Sequence, residues 1–576
     1  METEIGGLGP TAGLGTDNRA PRIAVDFLMD QDPKVMNPPA HYKRVSKNKI
    51  RGWVKEEIYG SLPPAFFEDP VASIQRMARK VFKTSKWRWA AIFILPNGPN
   101  AFFKRDRTKG LFESLKYLCL PSKGYREWLI AQQSHDQGLP VPKPLGWMER
   151  VSRGFVKESY FLSEAIGSGE AFIEDSARAR EGSSILELAG TVRKIQDSGL
   201  FHRDLHAGNF VWEGPCLFLT DLHDAKWIKT LSLDQRLWNF SHLFHSLRSA
   251  WGEREQVQFI EKYFERDSID AQAKQGCLRK IDLFMDRLQE RQWRSRTKRC
   301  LKESTDFSNR QEKGVWYFHR RDFPLDRLKK VIEEHRSFGK GRTFPFAKLT
   351  PRVIVSISDD GGDRLCVKRF QYPRFWDRMK EYLRPSKGFK CWIAGNGLRV
   401  RGIPSLRPLG LIEQKRLLKA WESCFLMEAL EKDHEMDRYI LRGFKDFNGK
   451  RRFIKAFAQW LSEVHRKKVF HRDMKTCNIL VSRKEEEWIF YFLDLEDILL
   501  DEKVGEKNLF KNLLQLNTST PRVMTQTDRL RFFSEYTRHH PVIRDRRGFL
   551  RALAEESKRR GLLYVSPAGV VQEAMP

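Results

Sequence analysis

The chain has 576 residues, 40% hydrophobic and 12% aromatic, enough apolar material for packed cores and too much for a low-complexity disordered chain. Lys and Arg number 104 against 74 Asp and Glu, a formal net charge of +30, which favours anionic partners (phosphate, nucleic acid, acidic lipid, a phosphorylated glycan) without choosing among them. The eight cysteines are scattered, with no CxxC pair and no Cys/His ligand spacing, which argues against a disulfide framework or a zinc site and fits a reducing compartment.

Residues 1–45 are spotted with Gly and Pro and read as a flexible tail with no apolar core of signal-peptide length. Apolar runs such as AAIFIL at 90–95 are strand-sized and too short to span a bilayer, so a cytosolic protein with at most peripheral membrane contact is expected. A first domain is read over 46–285. In chain order it holds a β-type run with Lys104 (AFFKRD), a helical stretch with Glu127 (YREW), an apolar strand ending at Glu164 (YFLSEAI) and an amphipathic helix (ILELAGTVRKIQ). The turn FHRDLHAGN and a strand ending at Asp221 follow. A second domain is read over 286–576. It opens with a basic connector at about 287–348, where 18 Lys/Arg face 8 Asp/Glu and aromatics such as Trp293, Trp316 and Phe318 are interspersed. That stretch suits a solvated surface, an interfacial anchor on phosphorylated lipid heads or the start of a new subdomain. No nucleic-acid signature accompanies it, so no nucleic-acid partner is expected.

The second domain repeats the first. FHRDLHAGNFVW at 201–212 returns as FHRDMKTCNILV at 470–481, PSKGYREW as PSKGFKCW, GLPVPKPLGWME as GIPSLRPLGLIE, SYFLSEAI as SCFLMEAL, and AFFKRD as LCVKRF with Lys368. Landmarks recurring in one order at offsets of 264 to 269 residues mark a duplicated domain, too long for a solenoid repeat.

The sharpest feature is His-Arg-Asp, four residues, Asn, then a strand and another Asp. Phosphoryl transfer needs a carboxylate to take the proton of the attacking hydroxyl, and an amide oxygen with a second carboxylate to hold Mg²⁺ against the phosphates of ATP. Asp204, Asn209 and Asp221 supply these in the first copy; Asp473, Asn478 and Asp494 supply them in the second. Lys104 and Lys368 can bring the cation for the α/β-phosphates from a strand.

With these residues the chain resembles a tandem duplication of the lipopolysaccharide core kinases of the Kdo/WaaP family, relatives of the protein kinases. FFKRD, YREW, HRDLHAGN and TDLHDAKW carry the resemblance in the first copy; CVKRF, GIPSLRPLGLIE, HRDMKTCN and LDLED carry it in the second. It implies an α+β fold of two tandem protein-kinase-like bilobal domains, each with a small β-rich N-lobe and a larger helical C-lobe. It also implies use of ATP and Mg²⁺, and transfer of phosphate to a sugar hydroxyl, Kdo or heptose, of the inner core. The acceptor would then be a lipid A–core glycolipid at the cytoplasmic face of a bacterial inner membrane, whose anionic surface the basic chain would touch peripherally. Glu127 would orient Lys104. Glu164 with Ile166, and Glu428 with Leu430, would mark the hinge that meets adenine through main-chain groups. Lys475 stands where protein kinases carry a catalytic-loop lysine and the first copy has His206.

Several departures stand out. Neither copy has a GxGxxG loop before its lysine; LPNGPN at 95–100 and SDDGGD at 358–363 are the nearest candidates and equally suit hairpin turns. Cys391 replaces Glu127 in the second copy, so one rival is a scaffold with one or both domains inactive. A protein Ser/Thr kinase is another, although no Ala-Pro-Glu follows either metal aspartate. An aminoglycoside-type phosphotransferase ranks low, since Gly is more usual there where Arg203 and Arg472 stand.

Overall fold

A computed structural model describes residues 39–95, 100–337, 346–372, 384–414, 422–430, 434–540 and 542–575. The chain divides into two compact units, 1–289 and 290–576. Residues 1–38 of the expected tail, and most of LPNGPN, lie outside the described residues.

The first unit opens with seven antiparallel strands: β1 (Tyr42–Lys47), β2 (Ile50–Lys55), β3 (Ala78–Thr84), β4 (Arg88–Ile94), β5 (Asn100–Arg107), β6 (Pro144–Ser152) and β7 (Phe155–Glu164), in the order β1-β2-β6-β7-β5-β4-β3. β1 starts inside the stretch expected as a tail, because Tyr42 is a buried anchor: its hydroxyl lies within hydrogen-bond distance of Gln132 Oε1 (2.8 Å) and Pro144 O (3.0 Å), and its ring meets Trp128 edge-on. The central strands are buried along most of their length since both faces are covered, one by the helix Lys123–Asp136 and the other by a cluster that includes Ile58, Phe66 and Ile74.

The helix Lys123–Asp136 is pinned at its start. Ser122 caps it by accepting from Tyr125 N (3.4 Å), and Gly124 N–H donates to Ser159 Oγ (3.3 Å). A Cβ on Gly124 would stand 2.6 Å from Tyr160 O, so only glycine permits this approach of helix to strand. The larger lobe follows: helix Gly182–Asp197, β8 (Leu200–His202), β9 (Phe210–Glu213), β10 (Cys216–Leu219), β11 (Ala225–Trp227), then helices Leu233–Leu247 and Glu253–Tyr263. Ile185, Leu188 and Val192 pack with Phe240 and Phe244 in its core.

The second unit repeats the plan. Its sheet comprises β12 (Phe307–Glu312), β13 (Val315–Arg320), β14 (Phe346–Leu349), β15 (Val353–Asp360), β16 (Asp363–Gln371), β17 (Pro408–Gln414) and β18 (Glu422–Glu428), ordered β12-β13-β17-β18-β16-β15-β14. Much of the basic stretch 287–348 is therefore structured: residues 307–320 are an edge hairpin of this sheet with Phe307 and Phe318 buried, not a connector. Gly361 (φ +60°) and Gly362 (φ +88°) join β15 to β16 by a two-residue hairpin turn that needs left-handed backbone, the turn alternative for SDDGGD. The helix Lys387–Val400 is pinned like its counterpart, with Ser386 as cap and Gly388 N–H donating to Ser423 Oγ (3.2 Å). The larger lobe carries helix Phe447–Arg466, β19 (His434–Glu435), β20 (Val469–His471), β21 (Ile479–Lys484), β22 (Glu487–Phe492), β23 (Ile498–Leu500) and helices Glu506–Ser519, Gln526–His539 and Arg546–Arg560. Among the described residues no helix is long and apolar enough to cross a membrane.

A buried polar network supports the HRD turn in each unit. Asn239 Nδ2 donates to His202 O (2.6 Å) and accepts at Oδ1 from Gln196 Nε2 (3.1 Å), while Tyr263 OH donates to Gln196 Oε1 (2.7 Å). Asn512 Nδ2 donates to His471 O (2.7 Å), and His465 replaces the glutamine, with Nε2 at 3.2 Å from Asn512 Oδ1 and Nδ1 at 2.7 Å from Tyr536 OH. Nε2 must carry the proton because it faces a carbonyl oxygen, leaving Nδ1 to accept from the tyrosine. Burial, reinforced by the neighbouring His540, pushes His465 down to about 3, so it stays neutral. A folded-state pKa below the unfolded one means that stability is complete above about pH 6.5 and falls with acidification by at most about 1.4 kcal/mol per pH unit. His465→Gln is expected to retain the fold and flatten the decline between pH 6.5 and 4.5 in urea unfolding. His465→Leu, which orphans Asn512, should cost about 1–3 kcal/mol.

Candidate active sites

In the first unit β5 carries Lys104, the pinned helix carries Glu127, and the turn after β10 carries Asp221. Lys104 Nζ, almost fully buried, donates to Glu127 Oε2 (2.9 Å) and Oε1 (3.1 Å) and pairs with Asp221 Oδ1. Burial opposes this ammonium, but the two carboxylates outweigh it and hold its pKa above the ordinary lysine value. Asp221 sits in left-handed backbone (φ +60°), a conformation that Asp tolerates better than most residues. Burial raises its pKa, yet Lys104 and His223 pull it well below the usual carboxylate range. His223, two residues on, contacts Asp221 Oδ1 through Nδ1 (2.7 Å) and Asp224 Oδ2 through Nε2 (3.1 Å). Against the effect of burial, these carboxylates lift its pKa to about 9, while Arg88 Nη2 stands 2.8 Å from the same Nε2.

A cavity of about 380 Å³ brings Lys104, Glu127, Glu164, Ile166, Asn209 and Asp221 to one space, with Ile92 and Phe102 among its apolar walls. Ala165 N–H is taken by Asn100 O (2.8 Å), so of the hinge groups it is not the one on offer. Asp204 is not among the cavity's lining residues; its backbone oxygen accepts from Asn209 Nδ2 (3.0 Å). A hydrogen bond from His242 Nδ1 at 3.1 Å, acting against partial burial, holds the Asp204 carboxyl below its ordinary value. His202 fixes the turn: Asp204 N–H donates to its Nδ1 (3.3 Å), and its Nε2 donates to Asp221 O (3.1 Å).

The second unit reproduces this frame. Asp473 N–H donates to His471 Nδ1 (3.2 Å), His471 Nε2 to Asp494 O (3.1 Å), and Asn478 Nδ2 to Asp473 O (2.8 Å). Lys368 Nζ donates to Asp494 Oδ1 (3.1 Å) and Leu493 O (2.5 Å). Burial opposes its charge, while Asp494 and then Glu496 keep its pKa raised. Gln515 Nε2 approaches Asp473 Oδ1 (3.3 Å) where the first unit uses His242, and Lys475 Nζ lies 3.0 Å from Asp473 Oδ1. Glu428 pairs with Arg407 (3.1 Å), and Ala429 N–H is taken by Arg364 O (2.7 Å), as at Ala165; Leu430 packs against the core. The residues that motif reading missed are His223, His242 with Gln515, and Glu496. Only the first and last had a local signal, standing two places after a metal-type aspartate.

The donor sets suit a hard cation. In each unit the asparagine amide nitrogen is tied back to the loop, which leaves its oxygen as the free end of the amide, and amide plus carboxylate oxygens are the ligands Mg²⁺ takes. The trio Glu127, Asp221 and His223 brings one ligand atom from each within 4.8 Å of the others, but Lys104 fills the space between the carboxylates.

The profile of the lipopolysaccharide kinase (Kdo/WaaP) family matches residues 100–263 and 388–536, more than half of the chain and one segment in each unit. The chain belongs to this family, and its two units are tandem protein-kinase-like bilobal domains of a phosphotransferase family. Among solved structures it is similar to WaaP in complex with acyl carrier protein, at 18% identity and a TM-score of 0.31 over 41% of this chain and 96% of that one. It is also similar to a Stt7 homolog from Micromonas algae soaked with ATP, at 13% identity and a TM-score of 0.21 over 33% of this chain and 55% of that one. A search of curated proteins gave no match.

Removing one member of a buried ion pair strands the other. Glu127→Leu is expected to destabilise the first unit by about 3 kcal/mol, near the low end for such pairs because Asp221 still faces Lys104. Chemical denaturation of the full chain, with the first unit's tryptophans as reporters, checks this.

Proposed function

We propose that this protein is an ATP-dependent kinase that phosphorylates a sugar hydroxyl, Kdo or heptose, of the lipopolysaccharide inner core, with an active site in each unit. The observation that carries the reading is the first unit's cavity, where Lys104, Glu127, Asn209 and Asp221 converge beside the HRD turn. Family membership supplies the acceptor class.

ATP enters as substrate, with Lys104 or Lys368 on its α/β-phosphates and the main chain at Ile166 or Leu430 toward adenine. Asn209 with Asp221, and Asn478 with Asp494, would hold Mg²⁺, whose charge offsets that on the transferring phosphoryl oxygens. Asp204 or Asp473 takes the proton of the attacking sugar hydroxyl as its oxygen bonds to the γ-phosphorus and the bond to the β-phosphate oxygen breaks. His242 and Gln515 steady these carboxylates. Lys475 adds a cation beside Asp473.

Phosphate transfer from labelled ATP to a purified lipid A–core acceptor tests the reading. Loss of a general base costs roughly 10²–10⁴-fold at its own site. Asp204→Asn and Asp473→Asn are each expected to leave partial transfer, and the double substitution to abolish it. A parent chain that binds ATP yet transfers nothing to this acceptor overturns the assignment in favour of a protein kinase or a scaffold.

The anionic membrane partner is proposed to meet the helix Gly110–Cys119. Phe112 is 90% exposed there, Leu115, Leu118 and Leu120 are exposed as well, Lys109 and Lys116 are exposed close by in the chain, and Lys123 pairs with Glu113. Exposed apolar side chains with lysines close by fit a bilayer carrying negative headgroups. Cosedimentation should show the chain on phosphatidylglycerol-containing vesicles but not on pure phosphatidylcholine, with binding reduced at least several-fold by Phe112→Asp/Leu115→Asp. Unchanged binding, or loss of a dimer instead, counts against it.

A further inference from the structure

Two positions face one another beside the buried lysine in both units. In the first they are Glu127, on the pinned helix, and His223, two residues past Asp221. In the second they are Cys391, on the matching helix, and Glu496, two residues past Asp494, with Cys391 Sγ donating to Glu496 Oε2 at 3.5 Å. Each pair contains one carboxylate, but on opposite sides. The replacement of glutamate by Cys391, taken by itself, leaves Lys368 without the partner that Lys104 has.

We propose that Glu496 is the positioning carboxylate of the second unit, doing for Lys368 what Glu127 does for Lys104, so that this unit keeps its nucleotide site despite Cys391. Cys391 is fully buried at the position that matches Glu127, and its thiol holds the Glu496 carboxylate there, behind the direct contacts of Lys368 with Asp494 and Leu493 O. Burial, the charge of Glu496 and the hydrogen bond to it all keep that thiol protonated, in opposition to Lys368. After Asp494, Glu496 is the carboxylate that acts most strongly on the Lys368 ammonium. No such role falls to His223, which stands in the same place in the first unit and pairs with Asp221 and Asp224. The carboxylate has thus moved from helix to loop, and a cysteine has taken the space that it left.

The inference rests on the reading that the second unit binds nucleotide, and the experiment separates the two. The full chain with Lys104→Met reports the second unit in titrations with a fluorescent ATP analogue and Mg²⁺, with thermal unfolding followed in parallel. Glu496→Gln in that background is expected to weaken binding about tenfold, equivalent to about 1.4 kcal/mol, with the unfolding transition retained. Cys391→Glu combined with Glu496→His rebuilds the first unit's pair and is expected to bring affinity back to within a few-fold of the Lys104→Met parent. Unchanged affinity in Glu496→Gln overturns the inference, as does a folded Cys391→Glu/Glu496→His chain that fails to recover. A Lys104→Met parent that binds no nucleotide removes the second nucleotide site itself, and the inference with it.

Discussion

Each unit is organised around a lysine ammonium with almost no exposed surface, Lys104 at 7% and Lys368 at 6%. Taking such a charge out of water costs several kcal/mol, recovered only when carboxylates stand beside it in good geometry. This requirement reaches across the unit. Lys104 comes from a central strand of the small lobe, Glu127 from the helix laid on that sheet, and Asp221 from the larger lobe, so one ion cluster fixes strand, helix and loop together. The glycine at the helix start, unable to accept a Cβ against Tyr160 O, sets the helix close enough for Glu127 to arrive.

A second requirement holds the HRD turn. Its backbone polar groups are buried and must be bonded. Asn239 and Asn512 satisfy the histidine carbonyls, and the histidine rings in turn link the catalytic-type aspartate's N–H to the carbonyl of the metal-type aspartate. The partners behind the asparagines differ, Gln196 in one unit and His465 in the other, because the site asks only for a hydrogen-bond donor of about that reach. What the two units share here is the set of satisfied atoms, with residue identity free to vary.

The sequence made the duplication, the two lysines, the HRD–Asn–Asp sets and Glu127 legible, because each is a short pattern recurring in the same order. Spacing does not reveal pairings across the chain. Cys391 and Glu496 lie 105 residues apart, and Asp204 and His242 lie 38 apart, so neither contact leaves a local trace. The basic stretch at 287–348 left three readings open for another reason. Its hairpin, residues 307–320, holds only Arg310, Lys313 and Arg320 of the 18 Lys and Arg, and its buried positions, Phe307, Ser308, Phe318 and His319, are too few and too mixed to stand out as a strand pattern. Composition averaged over the whole stretch hides so short an element.

Comparing the units one position at a time suggests a decayed second site; comparing them by charge does not. Around the first lysine, Glu127 adds one negative charge. In the second unit the negative charge sits at Glu496, and a positive one appears at Lys475, 3.0 Å from Asp473, where the first unit has His206. The anion has moved from the helix to the loop, and a lysine now stands beside the catalytic-type carboxylate. A buried site tolerates such exchanges because the energy of an ion cluster depends on charges and distances, not on which strand or helix delivers them. Cys391 is then one half of a compensated pair, and the loss that it suggests in the linear sequence is made good across the fold.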